Sequence, residues 1–489
     1  MVIDAHILSL MIFIPVLGSI AILFVPSSRV RLIKGLATGV SAIPVILAIR
    51  LFVIFDRAQA GMQFVEQTPW IEAFNIYYFL GTDGLSVSMI LLTALLSHIA
   101  VVASYGIDRG QKGYFALILL LETGMMGVFA ALDFFLFYIF WELVLLPMYF
   151  LIGIWGGPRR EYAAIKFFIY TLAGSILLLI SILALYFLSE PHTFNMMELI
   201  RNNHQFGIGF QITIFLALYV GFAIKVPIFP FHTWLPDAHV EAPTAISVLL
   251  AGILLKMGVY GLLRISFPIL PEATRYFAFP LAIMGAINII YGALCCMAQT
   301  DLKKMVAYSS ISHMGFVLLG MAVFTDAGIN GAVFQMFNHG IISAMLFLLV
   351  GGIYDRAHHR DINGFGGLGS RMPIYTGFTS LAFFAGLGLP GLNGFISEVL
   401  VLIGSYPVYQ VVTIVSMLGI ILAAAYFLWA FQRVFLGPLN PKYAQLPDIN
   451  GREVFTLVPL AGLTIFLGIY PPPILDLLNA TLSALIRSI

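Results

Sequence analysis

The run Phe222-Ala223-Ile224-Lys225-Val226-Pro227-Ile228-Phe229-Pro230 decides how this chain is read. A lysine stands inside a stretch apolar enough for a bilayer, immediately ahead of two prolines. An ionised side chain near the centre of a membrane helix costs roughly 2.5–3.5 kcal/mol on insertion scales. Proline removes a helical N–H donor and clashes with the preceding turn, so the helix must break beside the lysine. Glu142, Lys256 and Glu398 share this setting on three other apolar runs. Two acids and two bases on four segments point to movement of protons or cations.

Composition agrees. The chain has 489 residues, 61% hydrophobic and only 10% charged, whereas a soluble domain carries about 25% charged residues. That defines an all-α polytopic membrane protein. With 24 basic and 23 acidic residues, it lacks the basic footprint of a nucleic-acid binder. The adjacent Cys295 and Cys296 have no CxxC or Cys/His spacing and read as small packing residues, with no metal or iron–sulfur site expected. Near the N-terminus the basic residues Arg29, Arg31 and Lys34 follow the first apolar stretch, the reverse of a signal peptide.

Runs of about 20 apolar residues, enough to cross a bilayer, recur fourteen times: 7–26, 33–54, 84–105, 113–132, 134–155, 162–188, 209–231, 244–267, 274–298, 302–324, 328–354, 373–405, 406–436 and 454–478. These are spans 1 to 14. The stretch 55–83 is expected to form a hairpin or a surface helix. No polar linker divides the chain, so it reads as one membrane domain. Its parts are 1–112, a first repeat 113–267, a second repeat 274–436 and a C-terminal part 437–489.

Basic residues set the orientation. Sixteen Lys and Arg flank loops after odd-numbered spans, against five, including Arg264, after even spans and at the termini. By the positive-inside rule both termini face away from the cytoplasm.

Span 7 is broken at Pro227 and Pro230. Span 12 is too long for one straight crossing and contains Gly386, Gly388, Pro390, Gly391 and Gly394. The breaks lie five spans apart. Five is odd, so a five-helix repeat must re-enter from the opposite face, which makes spans 4–8 and 9–13 inverted copies. Paired interruptions in two halves mark a transporter's ion site.

Several side chains suit proton transfer. Lys225 is an available cation for Glu142, and the two form an expected switching pair. Moving one charge against 100 mV costs about 2.3 kcal/mol, and one pKa unit is worth about 1.36 kcal/mol. A Glu–Lys contact that changes the lysine's proton affinity by about two or three units therefore supplies enough to drive one proton. Lys256 is the expected central carrier. His313 and His339 lie on spans 10 and 11, where histidine can relay protons near neutral pH; such a pair could also ligate a haem. Glu398, after the break in span 12, would end a relay toward the outside. Glu122 and His98 are weaker candidates. His232, Asp237, His239 and Glu241 lie in an expected cytoplasmic loop, where turn and cap roles explain them better than a metal set, or where they could line proton uptake. Lys303 and Lys304 read as interfacial anchors. Gly364-Phe365-Gly366-Gly367-Leu368-Gly369 matches GxGxxG but lacks the strand and βαβ unit of a nucleotide site.

The runs Phe140-Trp141-Glu142-Leu143, Lys225 through Pro243, Leu254-Leu255-Lys256-Met257-Gly258, Gln299-Thr300-Asp301-Leu302-Lys303-Lys304 and Ser309-Ser310-Ile311-Ser312-His313-Met314-Gly315 resemble the antiporter-like membrane subunits of respiratory complex I. The similarity covers spans 3 to 13. A glutamate at Glu398 is the M-type choice, where sister subunits carry lysine. The resemblance implies a fourteen-helix fold with inverted five-helix repeats. It implies proton-translocating roles for Glu142, Lys225, Lys256 and Glu398, with His313 and His339 as central connectors. No cofactor is implied on this chain; FMN, iron–sulfur clusters and quinone would belong to partner subunits of a proton-pumping NADH–quinone oxidoreductase. The expected partners are sister antiporter-like subunits and lipids in a bacterial inner membrane. The alternatives are a subunit of a multisubunit sodium/proton antiporter or of a ferredoxin-linked photosynthetic complex. Val240-Glu241-Ala242-Pro243-Thr244 is more similar to the NADH-linked branch.

Overall fold

The computed structural model describes residues 2–489. Among the described residues, thirteen helices are long and apolar enough to cross a membrane, and they match thirteen of the predicted runs: Ile7–Phe24, Val30–Ile54, Gly84–Gly106, Gln111–Ala130, Phe134–Trp155, Arg160–Leu188, Ile208–Lys225, Thr244–Ile269, Ala278–Met297, Leu302–Ala322, Asp326–Ala357, Gln410–Phe435 and Gly451–Ile469. The remaining run, 373–405, is two half-length helices, Pro373–Gly386 and Asn393–Ser405. Spans 8 and 11 are buried along their whole apolar length, and span 10 nearly so. Span 2 and span 13 instead expose Ile46, Val53, Val411 and Ile421, the apolar exterior that a lipid-facing helix requires.

The stretch after span 2 forms a hairpin, β1 (Gln63–Ile71) antiparallel to β2 (Ile76–Thr82). Asn75 closes the turn in the left-handed region, which asparagine tolerates better than most residues. This is the exception to an otherwise helical fold.

Three expectations need correction. The predicted last span, 454–478, is two elements: the membrane helix ends at Ile469, and an amphipathic helix, Pro472–Ser488, follows. That helix buries Leu477, Leu478 and Leu482 across the ends of spans 3 and 11. Thr481 Oγ1 accepts from Gly84 N at 3.0 Å. A Cβ on Gly84 would lie 1.9 Å from Leu477 O, so only glycine permits this approach. The second correction concerns 232–243, expected as a loop. Trp234–Glu241 is a helix with Trp234, Leu235, Ala238 and His239 buried, packed on spans 6 and 10. Its apolar face needs burial, which a surface loop would not give. The third is span 8, which contains π-helical turns at Leu250–Leu254 and Leu262–Ser266. Arg264, counted among loop residues, lies buried in the second of these turns.

Candidate functional site

Span 7 ends as a helix at Lys225, and Pro227 takes a φ of 26°. Asn288 of span 9 holds the opened backbone: its Oδ1 accepts from Phe229 N at 2.9 Å, and its Nδ2 donates to Pro227 O at 3.3 Å. Trp234 Nε1 donates to Ile224 O at 2.8 Å. Freed polar groups in a membrane helix must find such partners. Lys225 is buried, with Nζ 5.1 Å from the Trp141 ring centroid and 5.8 Å from that of Phe167. The π faces partly replace the ammonium's hydration. Glu142 follows Trp141 on span 5 and is close enough to act electrostatically on Lys225. No hydrogen bond or ion pair joins them, and Glu142 Oε1 is buried without a partner.

Span 8 crosses span 7 at this break, where a Cβ on Gly258 would meet Phe222 O at 2.8 Å. Two residues earlier, Lys256 is fully buried. Its Nζ donates to Ala251 O at 2.5 Å, within the first π turn, and reaches His339 Nδ1 at 2.7 Å. π turns inside α-helices occur frequently at functional sites. Close approach of Gly252 and Gly340 brings the two helices together: a Cβ on Gly340 would lie 3.1 Å from Gly252 O.

From His339 the polar path continues laterally. Its ring centroid is 5.7 Å from that of His313 on span 10, tilted by 48°. His313 Nδ1 lies 3.2 Å from Glu398 Oε1. The Nε2 atoms of both histidines are buried and without a partner. An ammonium donor at His339 Nδ1 leaves that ring's proton on Nε2, whereas Nδ1–H of His313 donates to the carboxylate. Lys256, His339, His313 and Glu398 thus form one buried series across three spans and the second half of a fourth.

Glu398 is placed by the break in span 12. Gly388 has φ of +77°, and a Cβ there would meet Glu398 Oε2 at 2.9 Å. Asn338 Nδ2 donates to Asn393 O at 2.9 Å and to Ser397 Oγ at 3.2 Å, Asn393 Nδ2 donates to Asn338 Oδ1 at 3.0 Å, and Ser397 Oγ bonds Gln335. This amide network fixes the half-helix that carries the carboxylate. Sequence reading missed it, since neutral amides in a buried helix are less conspicuous than charges.

The weaker candidates scatter. Glu122 is fully buried with both carboxylate oxygens unpartnered, and His98 Nδ1 lies 3.0 Å from Ser41 Oγ. His232 faces Tyr291, Asp237 pairs with Lys166, Glu241 with Arg159, and His239 stacks on Phe347. The four do not converge. Lys303 is no interfacial anchor: it is buried and donates to Ala242 O at 2.6 Å. Cys296 donates to Met305 O at 3.4 Å. In the GxGxxG run, a Cβ on Gly367 would meet Leu439 N at 2.5 Å, so that glycine serves loop packing. Several ion pairs escaped the sequence reading, among them a buried one in which Arg264 Nη2 donates to Asp83 Oδ1 at 2.5 Å.

A helical membrane bundle with two broken helices and a buried Lys–His–His–Glu series is an antiporter-like membrane protein. The family described as "NADH:quinone oxidoreductase/Mrp antiporter, TM" matches residues 131–423, and this chain belongs to it. NADH-quinone oxidoreductase subunit M of Rickettsia bellii is 40% identical over 99% of both chains. NADH-ubiquinone oxidoreductase chain 4 of Marchantia polymorpha is 41% identical over 98% of this chain and 97% of that one. A chain of respiratory complex I from Thermus thermophilus superposes with a TM-score of 0.90 at 29% identity, covering 98% of this chain and 99% of that one. A chain of the Mrp complex from a Dietzia species shares the fold, with a TM-score of 0.88 at 21% identity over 99% and 98% of the two chains.

Proposed function

We propose that the chain is the M-type proton-translocating subunit of a respiratory NADH–quinone oxidoreductase, coupling quinone reduction in partner subunits to proton movement. The reading rests on the buried series Lys256–His339–His313–Glu398. The fold is then read as fourteen crossings, with spans 4–8 and 9–13 as inverted repeats and residues 1–112 and 437–489 as flanking parts. Both termini would lie on the non-cytoplasmic side of a bacterial inner membrane, next to sister antiporter-like subunits. FMN, iron–sulfur clusters and quinone belong to the partners.

In this scheme Glu142 and Lys225 act as a switching pair. Their lack of a direct bond here corresponds to the open arrangement, in which Lys225 leans on aromatic faces. Closing the pair would withdraw or restore positive charge near Lys256, pushing a proton along the histidines to Glu398. Each member of the series can hold and release a proton, and each is shielded from lipid by surrounding helices.

The test uses the intact complex in proteoliposomes. Glu142→Gln and Lys225→Gln are expected to abolish quinone-linked proton delivery while NADH oxidation by artificial acceptors continues in the partner subunits. Wild-type proton delivery in both variants would sink the proposal. Purification with antiporter subunits, and sodium-dependent exchange without NADH oxidation, would instead support the antiporter reading favoured by the Mrp-like fold.

A further inference from the structure

The body of the first half-helix of span 7 is fixed by its neighbours. A Cβ on Gly174 of span 6 would lie 3.0 Å from Gly221 O, and span 8 meets Phe222 O at Gly258. Freedom is left to the segment beyond Lys225, where the helix has ended. That segment is held by Asn288 of span 9, a fully buried residue. Both ends of its amide are engaged: the oxygen accepts from Phe229 N, and the nitrogen donates to Pro227 O. Asparagine is a poor helix former, and a buried amide is costly unless its groups are satisfied. The clasp accounts for its place in the middle of an apolar helix.

The same stretch of span 9 grips the helix that carries His313. Ile289 O, one residue on from Asn288, accepts from Ser312 Oγ at 2.8 Å. A helical serine commonly bonds a carbonyl of its own preceding turn, as Ser309 does to Val306 O. Ser312 instead reaches across to a neighbouring helix. Backbones touch on either side of this bond: a Cβ on Gly292 would lie 2.6 Å from Ser312 N, and one on Gly315 would lie 2.7 Å from Ile289 N. With no side chain between them to absorb a shift, closely packed helices pass displacement on. Pro227, Asn288, Ile289 and Ser312 thus form an unbroken run of contacts, and His313 follows Ser312 in the chain.

We propose that Asn288 and Ser312 are positioning residues that couple the break beside Lys225 to His313. This rests on the proton-translocating reading above. When Glu142 and Lys225 close, the end of the half-helix shifts and the Pro227–Phe229 backbone moves with it. The Asn288 amide follows, since letting go would leave a buried N–H and a buried carbonyl unpartnered. Ile289 O then draws on Ser312, and the imidazole beside it changes its distance to Glu398, 3.2 Å away here. That contact stands at the outer limit of the about 2.6–3.2 Å over which a positioned group exchanges a proton, so a small shift opens or closes it. The switching pair would thereby act on the lateral series by movement as well as by charge.

Intact complexes carrying Asn288→Ala, Ser312→Ala or both are reconstituted, and quinone-linked proton delivery is read with a trapped pH dye across a range of pH. Delivery is normalised to assembled complex through NADH oxidation by artificial acceptors, so poor assembly alone does not lower it. Each single substitution is expected to reduce delivery about fivefold or more, the usual worth of a buried hydrogen bond. The double variant should match the lower of the two, because a linkage already cut is not cut again. Two independent supports would instead multiply, to about twenty-five-fold. Both single variants should also share one displaced pH profile, since the His313–Glu398 transfer becomes the slow step in each. A merely structural loss would scale the wild-type profile without moving it. Should Asn288→Ala not assemble, Asn288→Asp takes its place: a carboxylate accepts from Phe229 N but has no donor for Pro227 O. Multiplying losses, an unmoved pH profile, or wild-type delivery in either single variant would overturn the proposal. Glu142→Gln runs alongside: full delivery there would refute the translocating function itself, whatever the other variants show.

Discussion

Lys256 is held by two neutral acceptors, the Ala251 carbonyl and His339 Nδ1, and by no carboxylate among the described residues. A lysine placed only to balance a fixed negative charge would have one beside it. In the proposed relay its proton passes to the imidazole instead, and that transfer requires a group able to let go. Arginine keeps the charge but does not deprotonate in proteins. Lys256→Arg is therefore expected to lose quinone-linked proton delivery by about tenfold or more, as Lys256→Gln does, given the usual worth of a positioned proton donor. Delivery measured by dye quenching in vesicles decides; retention in the arginine variant would make Lys256 a static charge. Lys256, Glu142, Lys225 and Glu398 were legible in the sequence because ionisable groups in apolar runs are costly anomalies. Arg264 was not: near the end of an apolar run an arginine is expected to snorkel to the interface. Only the fold reveals Asp83 waiting beside it.

At the level of elements, the two broken helices are the legible feature and the π turns of span 8 the illegible one. Proline and glycine announce a break, whereas a π turn leaves no compositional trace in Leu250–Leu254. The two breaks share a backbone pattern: Lys225 and Gly386 end the first half-helices, Val226 and Leu387 cap them, and Pro227 and Gly388 both have positive φ. The position matching Lys225 is Gly386, and the positive-φ glycine two residues on, Gly388, has the Glu398 carboxylate where a Cβ would go. This yields a matched pair of variants. Gly391 has φ of +92° with open space around its Cβ position, while Gly388 has φ of +77° and the carboxylate 2.9 Å away. Gly391→Ala should cost only the left-handed backbone penalty, about 1–2 kcal/mol. Gly388→Ala should cost that and also displace Glu398. The expected outcome is similar thermal destabilisation of the two complexes, with proton delivery falling further in Gly388→Ala. Equal delivery would mean that Glu398 tolerates displacement.

For the whole molecule, the polarity of the bundle is the main expectation still open to direct measurement. The hairpin, the C-terminal helix and the Asp83–Arg264 pair share one face; Lys303, Arg360 and the end of Trp234–Glu241 share the other. The positive-inside assignment makes the second face cytoplasmic. With the native cysteines replaced, Arg487→Cys should react with an impermeant thiol reagent only from the non-cytoplasmic side, and Lys442→Cys only from the cytoplasm. The reverse labelling would invert the direction of every step proposed above. The orientation has a further consequence for the Lys256–His339–His313–Glu398 series. Lys256 stands twelve residues into span 8, His339 thirteen into span 11 and His313 eleven into span 10. At about 1.5 Å per residue each lies roughly 17–20 Å deep, near the mid-plane of a hydrocarbon core about 30 Å thick. The Lys256–His339–His313 part of the series would therefore run parallel to the sheet of lipid, perpendicular to the electric field. On the proposed reading, a proton travelling along it would do no work against the membrane voltage. Voltage acts only on the vertical legs at either end, so back-pressure from an energised membrane should slow uptake and release while leaving the sideways passage untouched.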